Sequence, residues 1–250
     1  MMKFIGVIPA RYDSTRFPGK PLAMIKGKTM IQRVYEQTIK ALPEVYVATD
    51  DQRIEQAVRN FNGNVVMTSP HHRSGTDRIR EASEKIMHHT NNYEVIVNIQ
   101  GDEPFIQPEQ IRELKSCFDD ENTDIATLIK PIDNDKALFN PNLPKVITDK
   151  YDYAIYFSRS TIPYIRNKDA SEWLNSYPFH KHIGIYAYRK HILKEITSLE
   201  PSSLELAESL EQNRWIENGY RIKTAITKHE NYPVDTPEDL ENIINRLFPK

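Results

Sequence analysis

Phe4-Ile5-Gly6-Val7-Ile8 is a short, wholly apolar run that stops at Pro9, and the pattern that follows it decides the fold. A run of this length, bounded by a Pro-bearing loop, reads as a buried strand. The loop 9–20 leads to a helix near 29–41 with Met30, Ile31, Val34 and Thr38 on one face. Val45-Tyr46-Val47-Ala48 is the next strand, and Ile54, Ala57, Val58 and Phe61 follow at the i, i+3, i+4, i+7 spacing of an amphipathic helix. Val65-Val66-Met67 is a third strand, followed by a helix carrying Ile79, Ala82 and Ile86. Val95–Ile99 is a fourth. A helix opened by Pro108, with Ile111, Leu114, Cys117 and Phe118 inward, separates it from a fifth at Ile125–Ile129. Such alternation predicts parallel strands with helices on both faces of the sheet.

After residue 130 the rhythm changes. Pro131, Pro141 and Pro144 precede strand-like segments at Lys145–Thr148, Tyr153–Phe157 and His182–Tyr188, rich in Tyr and β-branched residues. These predict antiparallel additions, and helices return at about 203–213 and 237–247. No repeat or linker interrupts the pattern, so residues 1–250 read as one domain, with 131–190 as an elaborated ligand-binding or dimer-contact region.

Composition narrows the function. With 39% hydrophobic residues, 13 Tyr and 9 Phe the chain is too apolar to be disordered, and no apolar run reaches the length of a membrane span. Few apolar residues precede Pro9 and Arg11, unlike a signal peptide, and the single Cys117 suits a reducing cytoplasm. A net charge of −2 argues against a nucleic-acid coat. Residues 1–40 nevertheless carry eight Lys/Arg against Asp13 and Glu36, which suits a small anionic ligand or simply a solvated basic face.

Three polar loops follow strands 1, 3 and 4, and in a parallel sheet they emerge at the same carboxyl edge, where ligands bind. The first, Pro9-Ala10-Arg11-Tyr12-Asp13-Ser14-Thr15-Arg16-Phe17-Pro18-Gly19-Lys20, is neither a P-loop nor a dinucleotide fingerprint. Its cations and hydroxyls suit either a triphosphate or bulk water. The second, His71-His72-Arg73-Ser74-Gly75-Thr76-Asp77-Arg78, opens a helix that Ser74 or Thr76 caps; the paired histidines lack further ligands at metal spacing. In the third, Gln100-Gly101-Asp102-Glu103-Pro104, Asp102 either holds a hard cation or makes a turn. In Val234-Asp235-Thr236-Pro237-Glu238-Asp239, a Thr236 cap would free Asp235 for a ligand, whereas an Asp235 cap would not.

Taken with Phe139-Asn140-Pro141-Asn142, Tyr156-Phe157-Ser158-Arg159, His182–Arg189 and Leu210-Glu211-Gln212, these stretches resemble, nearly end to end, the CMP-KDO synthetases (3-deoxy-manno-octulosonate cytidylyltransferases). Arg73 and residues 163–181 fit that pattern only loosely. The resemblance implies an α/β three-layer sandwich with a mostly parallel, Rossmann-like sheet of the nucleotide-diphospho-sugar transferase type plus antiparallel additions. It implies transfer of CMP from CTP to the acidic sugar KDO, with release of pyrophosphate, for lipopolysaccharide synthesis in a Gram-negative cytoplasm. Mg²⁺ would be held by Asp102 and Asp235, and the triphosphate by Arg11 and Lys20 with Ser14 and Arg16 beside them. Ala10, Ser74, Gly75, Arg78 and Gln100 would surround the CMP moiety. Gln100, Arg159, His182, Tyr186 and Glu211 would face the sugar, Arg159 suiting its carboxylate. No protein base is implied, and a homodimer is. Rival readings are a cytidylyltransferase for 8-amino-KDO or another acidic sugar, and a non-catalytic nucleotide-binding protein. The latter would be expected to lack one of the two metal carboxylates. A phosphohydrolase would need an acid directly after the first strand, where Pro9-Ala10-Arg11 stands.

Overall fold

The computed structural model describes residues 2–72, 74–87 and 93–248. Its elements are β1 (Phe4–Ala10), the short strands β2 (Met24–Ile25) and β3 (Lys28–Thr29), α1 (Met30–Thr38), β4 (Val45–Thr49), α2 (Gln52–Asn60), β5 (Asn64–Met67), α3 (Gly75–Met87) and β6 (Val95–Asn98). They continue with α4 (Pro108–Ser116), β7 (Ile125–Pro131), α5 (Asp135–Leu138), β8 (Lys145–Thr148), β9 (Ala154–Ser158), β10 (His180–Arg189) and α6 (Lys190–Ile196). Then come α7 (Ser203–Glu208), α8 (Glu211–Glu217), β11 (Ile222–Ile226) and α9 (Pro237–Leu247). The chain divides into two compact units, residues 1–111, 189–197 and 230–250, and residues 112–188 and 198–229.

In the first unit four strands lie in the order β6-β1-β4-β5, each paired in parallel with its neighbours, and β2 and β3 form a separate antiparallel pair. Val7 and Ile8 point to opposite faces of β1 and both are fully buried, so both faces of the sheet are covered. Each such side chain contributes roughly 1.5–3 kcal/mol on burial. The helices form where the apolar spacing and a capping side chain agree. Thr29 accepts from the Gln32 amide at the start of α1, whose Met30, Ile31, Val34, Tyr35 and Thr38 are buried. Asp51 does the same for α2, which buries Ile54 and Val58. Because β4 and β6 flank β1 on opposite sides, the loops leaving β1 and β6 diverge at a switch point at their carboxyl ends.

In the second unit β7 lies between β11, which it pairs in parallel, and β10, which it pairs antiparallel. β8 pairs antiparallel with both β10 and β9. The antiparallel additions expected after residue 130 are present. The fifth predicted strand is β7, and it pairs in parallel with β11 but antiparallel with β10, because alternation counts strands without naming their neighbours. The helix expected over 203–213 is two helices. Ser209 takes a left-handed φ of 51°, which ends α7, and Leu210 is extended before α8 begins. No helix among the described residues is long and apolar enough to cross a membrane.

Candidate active site

The loop after β1 is pinned by Tyr12. The Gly19 amide donates to the Tyr12 carbonyl at 2.9 Å, and the Arg53 guanidinium stacks on the Tyr12 ring, 3.3 Å from its centroid. Gly19 has φ 71°, and a Cβ there would lie 3.0 Å from the ring. Gly19→Ala is therefore expected to cost about 1–2 kcal/mol from the left-handed backbone alone, plus a displaced Tyr12. Thermal melting checks this, and an unchanged melting temperature would contradict it. From the turn that follows, Lys20 donates to Asp102 Oδ2 at 2.8 Å and to the Val234 carbonyl at 2.8 Å, and its ammonium lies 3.7 Å from Asp235 Oδ1. Arg16 reaches the same Asp235 oxygen at 3.1 Å.

The loop after β5 ends in a reciprocal cap. Ser74 Oγ accepts from the Asp77 amide at 3.1 Å, and Asp77 accepts from the Ser74 amide at 3.3 Å, so Ser74 and not Thr76 starts α3. Arg73, quoted in this motif, lies outside the described residues. Arg78 is buried, its guanidinium fixed by Thr68 Oγ1 at 2.7 Å and Asp50 at 3.2 Å. His72 pairs with Glu81. Burial pushes Glu81 up, but Lys85, the Ser69 amide and His72 together hold it down at about 2.

The loop after β6 packs tightly on β1. A Cβ on Gly101 would meet the Pro9 carbonyl oxygen at 2.7 Å, so only glycine lets residues 100–103 approach. The adjacent acids then diverge: Asp102 faces Lys20, while Glu103 is 8% exposed. Burial, with the Asp102 charge adding to it, pushes Glu103 up to about 7 despite a hydrogen bond from Asn231. The folded state thus holds this proton more tightly than an ordinary carboxyl at 4.5. The resulting stability is complete below about pH 4.5 and is lost as pH rises through about 7, a loss of about 3 kcal/mol. Glu103→Gln is expected to melt above the wild type at pH 8 and level with it at pH 5. A gap that does not change with pH would contradict the shift.

At α9 the cap left open by the sequence is settled. Thr236 accepts from the Asp239 amide and Asp239 closes the box, so the Asp235 side chain is spared for Arg16 and Lys20.

These loops enclose a cavity of about 290 Å³. Ala10, Arg11, Ser14, Arg16, Lys20, Ser74, Gly75, Arg78, Gln100, Asp102 and Asp235 all line it. Sequence reasoning passed over Pro9, Pro21, His72 and Gly101, which line it too. Their signal was position, since each lies within or beside a quoted motif. Among the described residues no cluster of three or more His, Cys, Asp or Glu side chains forms a metal cage. Two carboxylates converging on one ammonium are instead the donor set of an Mg²⁺ that keeps its waters and binds together with substrate phosphates, so the residues fit that ion.

The remaining candidates lie in the second unit. The Arg159 guanidinium donates to the carbonyls of Glu208 (2.6 Å), Pro141 (3.1 Å) and Ser209 (3.4 Å), which orient it, and the Arg159 charge also helps hold the nearby Glu208 carboxyl below its ordinary range. His182 is half-buried by area but ringed by Phe157 and Tyr186, with Thr127 Oγ1 3.1 Å from its Nε2. Desolvation pushes its imidazole down to about 3, which leaves it neutral. Tyr186 is buried edge-on to Trp215. Glu211 pairs with Arg214 at 2.9 Å. Gln212, missed by the sequence reading, is 5% exposed, and its Nε2 finds no hydrogen-bond partner among the described residues. A buried amide nitrogen left unpaired is free to donate to a water or a ligand.

Comparison with known proteins places this geometry. A cytidylyltransferase family model matches residues 5–224. The 3-deoxy-manno-octulosonate cytidylyltransferase of Parabacteroides distasonis is 64% identical over 248 residues, 98% of each chain. That of Bacteroides thetaiotaomicron is 59% identical over 244 residues, 96% of each. Among solved structures, a CMP:2-keto-3-deoxy-manno-octonic acid synthetase complexed with CTP superposes with a TM-score of 0.88 at 42% identity, covering 98% of both chains. A cytidylyltransferase from Leptospira borgpetersenii, at 16% identity and a TM-score of 0.63, shares the fold. The chain belongs to the cytidylyltransferase family, among its 3-deoxy-manno-octulosonate cytidylyltransferases.

Proposed function

We propose that the protein transfers CMP from CTP to KDO, giving CMP-KDO and pyrophosphate for lipopolysaccharide synthesis. The supporting observation is the convergence of Arg11, Arg16 and Lys20 with Asp102 and Asp235 on one cavity. The sugar's anomeric hydroxyl attacks the α-phosphorus and a new P–O bond forms. The bond to pyrophosphate breaks, and the hydroxyl proton leaves to solvent. Such a displacement needs fixed alignment and neutralisation of charge on both the attacking and leaving sides.

Arg11 and Lys20 supply cationic donors to the triphosphate, with Ser14 and Arg16 beside them. Ala10, Ser74, Gly75, Arg78 and Gln100 hold the CMP moiety. Arg78, already fixed by Thr68 and Asp50, offers a pre-set donor to the cytosine acceptors. Arg159 takes the sugar carboxylate, while Gln100, His182, Tyr186 and Glu211 bind its hydroxyls, with Gln212 added from the structure. Asp102 and Asp235 hold Mg²⁺, which when bound offsets the charge that builds up on the phosphate oxygens. We further assign the protein to the cytoplasm, as a homodimer, with residues 131–190 serving sugar binding or dimer contact.

The reaction is tested by ³¹P NMR of CTP, KDO, Mg²⁺ and protein together. Pyrophosphate and a new phosphodiester signal should appear in equal amounts. Pyrophosphate or phosphate formed equally well without sugar would mean hydrolysis and overturn the transferase reading.

A further inference from the structure

Asp235 sits on a segment with no helix or strand, residues 230–235, yet its carboxylate meets the same ammonium as Asp102. Two backbone contacts explain part of this: the Val234 amide donates to the Asp102 carbonyl at 3.0 Å, and Lys20 holds the Val234 carbonyl. A relay of side chains reaches the same segment. Gln110 Oε1 accepts from the Gln107 backbone amide at 3.0 Å. Because a backbone N–H can only donate, this contact fixes which end of the Gln110 amide is oxygen. Gln110 Nε2 must then donate, and it does, to Asn231 Oδ1 at 2.6 Å. Asn231 is in turn left with its Nδ2, which donates to Glu103 Oε2. Every amide in the chain has one permitted orientation, and the relay ends on the residue next to Asp102. Gln110 is fully buried and Glu103 nearly so, which makes each of these hydrogen bonds costly to lose.

We infer that the Gln110–Asn231–Glu103 relay is a positioning device that ties the Asp235 segment to the Asp102 loop and so sets the spacing of the two carboxylates. The inference rests on the proposed reading that Asp102 and Asp235 hold the divalent cation. None of the three relay residues lines the cavity, so none is assigned a direct contact with CTP. Their effect passes through the carboxylates, as hydrogen-bonding partners outside a metal site commonly act.

The test is Mn²⁺ binding to the full-length protein in the presence of CTP, followed by water-proton relaxation, with metal-free CTP binding and thermal melting measured alongside. Asn231→Ala should weaken Mn²⁺ binding about tenfold. Its metal-free CTP affinity should stay within about twofold of wild type, since the side chains assigned to the triphosphate are untouched. Glu103→Gln should bind Mn²⁺ as the wild type does, because the Gln amide oxygen still accepts from Asn231.

Asp102→Asn and Asp235→Asn are the reference variants. If they lose Mn²⁺ and Asn231→Ala does not, the relay inference alone is overturned. It is also overturned if Asn231→Ala loosens metal-free CTP as much as Mn²⁺, which would mean general disorder of the cavity. Loss of Mn²⁺ in Glu103→Gln to the level of Asn231→Ala would show that charge and not the hydrogen bond matters, and would overturn it as well. If the two Asp variants themselves bind Mn²⁺ normally, the metal reading falls and takes the inference with it.

Discussion

Asp102→Asn and Asp235→Asn each lose turnover by about 10²–10³-fold while remaining folded. That is the scale on which removing one electrostatic stabiliser of a developing charge acts. The substitution keeps the shape of the side chain and its place in the chain. Asp102 is fixed through its backbone by Val234, and Asp235 stands next to the Thr236 cap, which does not use its side chain. What changes is one negative charge in a site where two acids face Lys20 and Arg16. The folded state loses little: Asp235 is about half exposed, and Lys20 keeps the Val234 carbonyl in either variant. Raising Mg²⁺ should recover part of the lost rate, since the remaining carboxylate still offers a ligand. Turnover near wild type in both variants would remove the metal assignment.

Lys20→Ala has the next largest effect, expected as a rise in the KM for CTP of about 10–150-fold, the worth of a charge-assisted hydrogen bond of about 1.5–3 kcal/mol lost to alanine. Lys20 joins both carboxylates and the Val234 carbonyl and is only 15% exposed, so its removal also leaves Asp102 without its cation. The KM for KDO should move much less, because every residue assigned to the sugar except Gln100 lies in the second unit. Equal rises for both substrates would point to a collapsed cavity and not to a lost phosphate ligand. Lys20→Arg should restore part of the CTP affinity, limited by the bulk of a guanidinium where a point charge fitted.

Much of this was legible in the residues. Apolar runs such as Val95–Asn98 and the spacing of Ile54 and Val58 are local signals, and the elements formed where those signals stood. The three loops converge because parallel strands put their carboxyl ends at one edge, a rule that needs no coordinates. Pairing partners were not legible. β7 reads as a buried strand, but burial does not say that it pairs in parallel with β11 and antiparallel with β10. The break at Ser209 was hidden because serine takes a left-handed φ only when its surroundings impose it. Two details of the site also needed geometry. The choice between Thr236 and Asp235 as cap turned on which side chain reaches the Asp239 amide. The opposite environments of Asp102 and Glu103 turned on which way each neighbour points, as did the role of Asn231, a polar residue in an irregular segment that no motif singles out.

The most direct measurement is pyrophosphate release from CTP and Mg²⁺ with KDO, 8-amino-KDO and sialic acid supplied in parallel, with and without a chelator. The account predicts release with KDO, abolished by the chelator. Release that needs no sugar, or that persists in excess chelator, would contradict it.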